Sequence, residues 1–140
     1  MNRACWPAAA DGRYWIDVAL GAKPMRVMLD TGVTDTAGQV AFDMSPAEYD
    51  ALDRSGQLIG AGTRPRRDAS NRWVHLPVGF LAAQLLDPVG GARIGPPVRC
   101  LAARNFVSVP SRVGVVFFHR LTGCRDIWEL DQRSWCVEYP

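Results

Sequence analysis

The sequence predicts a mainly β, barrel-like domain, and three observations carry that expectation. Short apolar stretches alternate at a period of two residues, glycine and proline punctuate the chain between them, and only two stretches carry helix signals. The 140 residues make one domain the natural count. A chain of this mass can bury roughly two thirds of its surface, enough for a single core.

The elements follow in order. Residues 1–12 precede the pattern and read as a tail, either loose or an added edge strand, ahead of a domain over residues 13–140. Tyr14, Ile16, Val18 and Leu20 share one face of a first strand; Gly21 to Pro24 make a turn, and Met25 to Leu29 return as the second arm of a hairpin ending at Asp30. Val40 to Phe42 gives another short strand. Ser45 as cap, Pro46 in the first turn, Glu48 three residues after the cap and Gly56 as stop define a helix whose Ala47, Ala51 and Leu52 face inward. Leu58 to Arg67 and Arg72 to Phe80 are the arms of a long hairpin around the polar tip Asp68, Ala69, Ser70, Asn71. Leu81 to Leu86 fits strand or helix equally. Gly90, Gly91, Gly95, Pro96 and Pro97 interrupt the chain before short strands at Val98–Ala102 and Phe106–Val109. A short helix follows Gly114, and Ile127–Leu130 with Ser134–Val137 form a closing hairpin.

Composition narrows the function. The chain is 48% apolar and 21% charged, with no apolar run near the roughly 20 residues that span a bilayer, so no membrane partner is expected. The net charge of +2 is too small for a nucleic-acid-binding field. The local cluster Arg64, Arg66, Arg67 and Arg72 reads as an exposed loop, and Asp43, Glu48 and Asp50 read as a cap and a solvated helix face. The first residues lack the apolar core of a secretory signal, which favours the cytoplasm. The four cysteines form no metal-binding spacing and read as unpaired, mostly core thiols.

The segment that carries chemistry is Val27, Met28, Leu29, Asp30, Thr31, Gly32, Val33, Thr34. A buried strand delivers a carboxylate into a turn where a glycine permits close backbone approach and amide N–H groups can hold a carboxylate oxygen. A haloacid-dehalogenase-type phosphatase would need a second aspartate where Gly32 stands, and a cation-pumping ATPase would need a lysine where Thr31 stands. The remaining chemistry for an Asp-Thr-Gly turn is that of an aspartic peptidase, with a plain β turn as the bland account.

At this point the chain resembles the retroviral-type (retropepsin-like) aspartic peptidases and their bacterial single-domain relatives, over roughly residues 14–139. The opening hairpin with Asp30–Gly32 resembles the catalytic loop, and Asp68 to Asn71 resembles the flap tip. Val113, Gly114 and the residues to Phe118 resemble the turn and short helix packed behind that loop. The resemblance implies a closed six-stranded-type acid protease barrel with a flap hairpin and one or two short helices. It implies a homodimer with one Asp30 from each subunit, an extended peptide or protein substrate, and neither metal nor organic cofactor. Asp30 is then the catalytic residue. Thr31 bonds across the two-fold axis, Gly32 and Thr34 support the loop, and Val113 and Gly114 pack against it. Family dimers interleave terminal strands, which points to Trp135–Tyr139 as the interface. Val33, Arg112 and Val116 depart from the family's usual residues, and Asn71 replaces a flap-tip glycine. These departures leave a second expectation open: a non-catalytic module that kept the fold and binds extended peptides.

Overall fold

A computed structural model describes residues 1–140. Strands hold 51% of them and helices 11%, so the mainly β expectation holds. In chain order the elements are β1 (Asn2–Pro7), β2 (Trp15–Leu20), β3 (Lys23–Leu29), β4 (Val40–Met44), α1 (Pro46–Arg54), β5 (Ile59–Arg67) and β6 (Trp73–Leu86). They continue with β7 (Arg93–Arg104), β8 (Arg112–Val113), α2 (Val115–Arg120), β9 (Arg125–Glu129) and β10 (Ser134–Tyr139).

Seven strands form one sheet in the order β2-β3-β8-β4-β7-β6-β5, and an additional β2–β6 pairing closes six of them into a ring. The ring depends on β6, which is 14 residues long. Its first part pairs with β5 as far as Phe80, and its last part pairs with β2 through Ala83 to Leu85. The ambiguous stretch Leu81–Leu86 is therefore strand. Inside the ring lie Ile16, Val18, Leu20, Val27, Phe42, Leu85 and Phe117, all essentially inaccessible to solvent. Phe117 packs on Phe42 with ring centroids 5.2 Å apart.

Three local expectations are corrected. Gly95 to Pro97 do not end a strand: Gly95 adopts φ 68° within a single long β7, and the sheet absorbs the irregularity as a register shift opposite Ala83 and Leu85. Phe106–Val109 is an exposed loop, because the Asn105 side chain takes the Val107 N–H at 3.0 Å and turns the backbone away from a ladder. In α1, Ser45 caps the Glu48 N–H as expected, but Tyr49 and Leu52 are the buried residues, while Ala47 is exposed.

A second sheet, β1-β10-β9, gathers the two chain ends. Of the two options for the N-terminal residues, Asn2–Pro7 takes the edge strand, with buried Ala4 and Trp6 on its inner face and the Trp6 indole donating to Asp17 at 2.9 Å. Trp135 is only 7% exposed and packs on Phe118, and β10 has a neighbour on both sides. Within the chain neither edge of β10 is free, and the outer edges of β1 and β9 are the unpaired ones of this sheet.

Cys5 and Cys136 stand directly opposite each other on β1 and β10 and are joined by a disulfide, which corrects the expectation of four unpaired thiols. Arg3 spans Glu129 and Glu138 on the same face, and Arg125 also pairs with Glu138. The hydrogen bonds from Arg125 and Arg3 hold the Glu138 carboxyl below its ordinary value; their contribution is present above the ordinary carboxylate range and is lost as acid carries Glu138 through its lowered value. Cys100 is buried, which pushes its thiol up to about 12, and Cys124 is half-buried. Such a bond persists in oxidising compartments and is reduced where thiols are kept reduced. Thiol titration of the denatured, unreduced chain is expected to find two free thiols, Cys100 and Cys124. Reduction should lower the stability by about 2–4 kcal/mol in denaturant melts. Four free thiols would restore the reduced state expected from the sequence.

Candidate active site

Asp30 leaves the end of β3 where the sheet is most constrained. β8 lies between β3 and β4, parallel to the first and antiparallel to the second. The Asp30 N–H donates to the Val113 carbonyl at 2.9 Å, and the Gly114 N–H donates to Ala41 at 2.9 Å. Behind the loop, a Cβ on Gly114 would stand 2.3 Å from the Val33 carbonyl oxygen. Only glycine permits that approach. Val33 itself is 1% exposed, so its bulk is spent on packing beneath the turn.

Within the turn the Gly32 N–H donates to Asp30 Oδ1 at 2.9 Å, and the Val33 N–H donates to the Asp30 carbonyl at 3.1 Å. The Asp30 side chain remains 34% exposed, and Thr31 is exposed beside it. The Thr34 hydroxyl reaches only the neighbouring Asp35 carbonyl, at 3.4 Å. Bracing of the loop falls to Asp35 instead, whose Oδ1 accepts from the N–H groups of Gln39 and Val40 at 2.6 and 3.1 Å.

Asp30 Oδ2 is not free. Arg112 Nη1 donates to it at 2.9 Å, and the other end of the same guanidinium reaches Asp43. Asp43 was expected on a solvated surface; it is fully buried within β4, where all five residues are buried. A buried carboxylate needs opposite charge and hydrogen bonds to be tolerated. Asp43 gets them from Arg112, from Arg66 Nη1 at 3.0 Å and from the Asn105 amide at 3.3 and 3.4 Å. The arginine cluster is correspondingly not a free loop: Arg66 turns inward from β5, and Arg64 bonds Gln39 at 3.0 Å and approaches Asp35 at 4.0 Å.

The hairpin of β5 and β6 ends in the expected tip. Asp68 Oδ1 accepts from the Ser70 and Arg72 N–H groups, both at 2.9 Å, and Asn71 takes φ 61°, a left-handed conformation that asparagine tolerates. Arg67 donates to the Asn71 carbonyl at 2.7 Å and lies over the Trp73 ring at 4.5 Å. Between Asp68, Ala69 and Ser70 of the tip and the loop from Asn105 to Val109 opens a groove of about 580 Å³, with Val74, Leu76 and Arg112 in its lining. Arg112 thus joins the groove to Asp30.

The ring of strands, the β8 insertion, the Asp-Thr-Gly turn and the projecting hairpin together define a protein of retropepsin-like fold. The particular likeness is to the crystal structure of a retropepsin-like aspartic protease from Rickettsia conorii, which matches with a TM-score of 0.59 at 14% identity over 99% of this chain and 90% of that chain. At that identity the likeness is one of fold. No protein-family model matches the chain, and no curated protein matches it by sequence.

Gly114→Ala should expose the constraint behind the loop. The added methyl meets a backbone carbonyl, which cannot swing aside as a side chain can, so a loss of about 1–3 kcal/mol is expected in denaturant melts. A variant as stable as the parent would mean that the β8 contact yields.

Proposed function

We propose that the chain is an aspartic endopeptidase that acts as a homodimer, with Asp30 of each subunit as the catalytic residue and an extended peptide as substrate. The observation that carries this reading is the Asp30 carboxylate: Oδ1 is fixed by the Gly32 N–H at 2.9 Å, yet the side chain is one-third exposed and is held by Arg112, which lines the groove beneath the hairpin. Each carboxylate oxygen has room for more than one hydrogen bond, so Asp30 keeps acceptor capacity for a water and for a partner carboxyl.

Two such carboxyl groups a few Å apart would hold one proton between them, because both cannot ionise cheaply. The charged member takes a proton from a water whose oxygen attacks the scissile carbonyl carbon, and the protonated member donates to the carbonyl oxygen as it becomes a gem-diol. Collapse of the gem-diol breaks the C–N bond, and a proton passes to the leaving amine. Thr31, exposed beside Asp30, would bond across the axis, with Gly32 and Thr34 in the supporting loop. The flap tip Asp68–Asn71 would close over the peptide and align it as a strand.

One observation favours a second reading, a non-catalytic module that binds extended peptides: Arg112 already occupies Asp30 Oδ2 at 2.9 Å. Cleavage of an unbiased peptide library separates the two. Asp30→Asn should lower the rate by about 10²–10⁴-fold while circular dichroism stays that of the parent. Specific activity should also fall on dilution, as the dimer dissociates. No cleavage by the parent chain, or cleavage indifferent to Asp30, would hand the protein to the second reading.

A further inference from the structure

The groups around Asp43 form a chain of charges from the flap to Asp30. Arg66, at the tip end of flap strand β5, forms an ion pair with Asp43 Oδ2 at 3.0 Å, and Arg112 reaches the same oxygen from β8. The opposite end of the Arg112 guanidinium holds Asp30 Oδ2 at 2.9 Å. Arg112 has no third anchor, because its Nε is buried without a hydrogen-bond partner. The hydrogen bonds of its guanidinium therefore go to the two carboxylates alone. Asp43, by contrast, is fixed: it lies in β4, paired with β7 on one side and β8 on the other, and has no access to solvent.

We propose that Asp43 is a positioning residue that joins the flap to Asp30 through Arg66 and Arg112. With the flap arm down, the charge of Asp43 is divided between two guanidinium groups, and Arg112 is free to hold and orient Asp30. When the arm lifts, Arg66 leaves, Asp43 is left with Arg112 as its one cation, and Arg112 is drawn off Asp30. Buried charges are expensive to leave unmatched, which gives this exchange its direction. Flap closure and the orientation of the Asp30 carboxylate are then set together. The effect on turnover rests on the endopeptidase reading; the mechanical coupling does not.

Amide hydrogen exchange and steady-state kinetics on the intact protein test the two parts separately. The reporter is the Gly32 N–H, which is bonded to Asp30 Oδ1 and untouched by Arg66. Arg66→Met alters a side chain that is 26% exposed and leaves the buried Asp43 carboxylate in place, whereas Asp43→Asn would remove the charge that both arginines share. Arg66→Met should speed Gly32 exchange by up to about tenfold, Arg112→Met should speed it at least as much, and the double variant should go no further than Arg112→Met, the mark of two residues in one network. On a peptide selected from the library, Arg66→Met should lower kcat about tenfold with KM within about threefold, and Arg66→Lys should restore most of it. Faster exchange in the flap with Gly32 unchanged would overturn the coupling, whether or not the protein cleaves peptides. A rise in KM alone, or a higher kcat in Arg112→Met, would also overturn it. If the parent shows no cleavage but Gly32 responds as expected, the coupling stands and the endopeptidase reading falls.

Discussion

Gly114 lets β8 come close against the Val33 carbonyl, and much of the site depends on that approach. β8 is only two residues long, yet it separates β3 from β4 and supplies the carbonyl that holds the Asp30 N–H. Without the close approach, Val113 would stand off from the loop and the two flanking strands would have no common neighbour. The carboxylate at the end of β3 is placed by backbone geometry first, before any side chain acts on it. Ser111, just ahead of β8, ties the same region to α1 by donating to Glu48 at 2.7 Å and accepting from the Ser45 N–H at 2.9 Å.

The side chains then add an ionic layer. Asp30, Asp43, Arg66 and Arg112 balance two negative charges against two positive ones, with Asp43 fully buried and the other three side chains partly exposed. Pairs of this kind contribute less to stability than to specificity, since desolvation offsets most of the attraction. Their value here is orientation: a planar guanidinium presents two edges at fixed angles, and each edge holds a different carboxylate. A lysine at position 112 would hold only one of them well.

Much of the fold was legible from local rules. Alternation marked β2 and β3, the Ser45 to Glu48 spacing marked α1, and the polar tip Asp68 to Asn71 marked the turn of the β5–β6 hairpin, because each depends on neighbours in sequence. What escaped depends on partners far away in the chain. Asp43 looked like a surface acid beside a helix cap, and the clue to its burial was its place in an apolar run between Phe42 and Met44. Arg112 was visible as a departure from the apolar pattern of the peptidases the chain resembles, but not as the cation for two carboxylates, one in β4 and one at the end of β3. Asp35 was hidden behind Thr34, the nearer hydroxyl. The cysteines carried no spacing signal, since residues 131 apart in sequence become opposite neighbours only after the second sheet forms.

The bond between Cys5 and Cys136 closes residues 5–136 into a covalent circle. Peeling from either end, the ordinary first step of fraying, is closed off while that circle is intact. Local opening inside the circle is then left to segments between its ends, such as the projecting turn Asp68–Asn71.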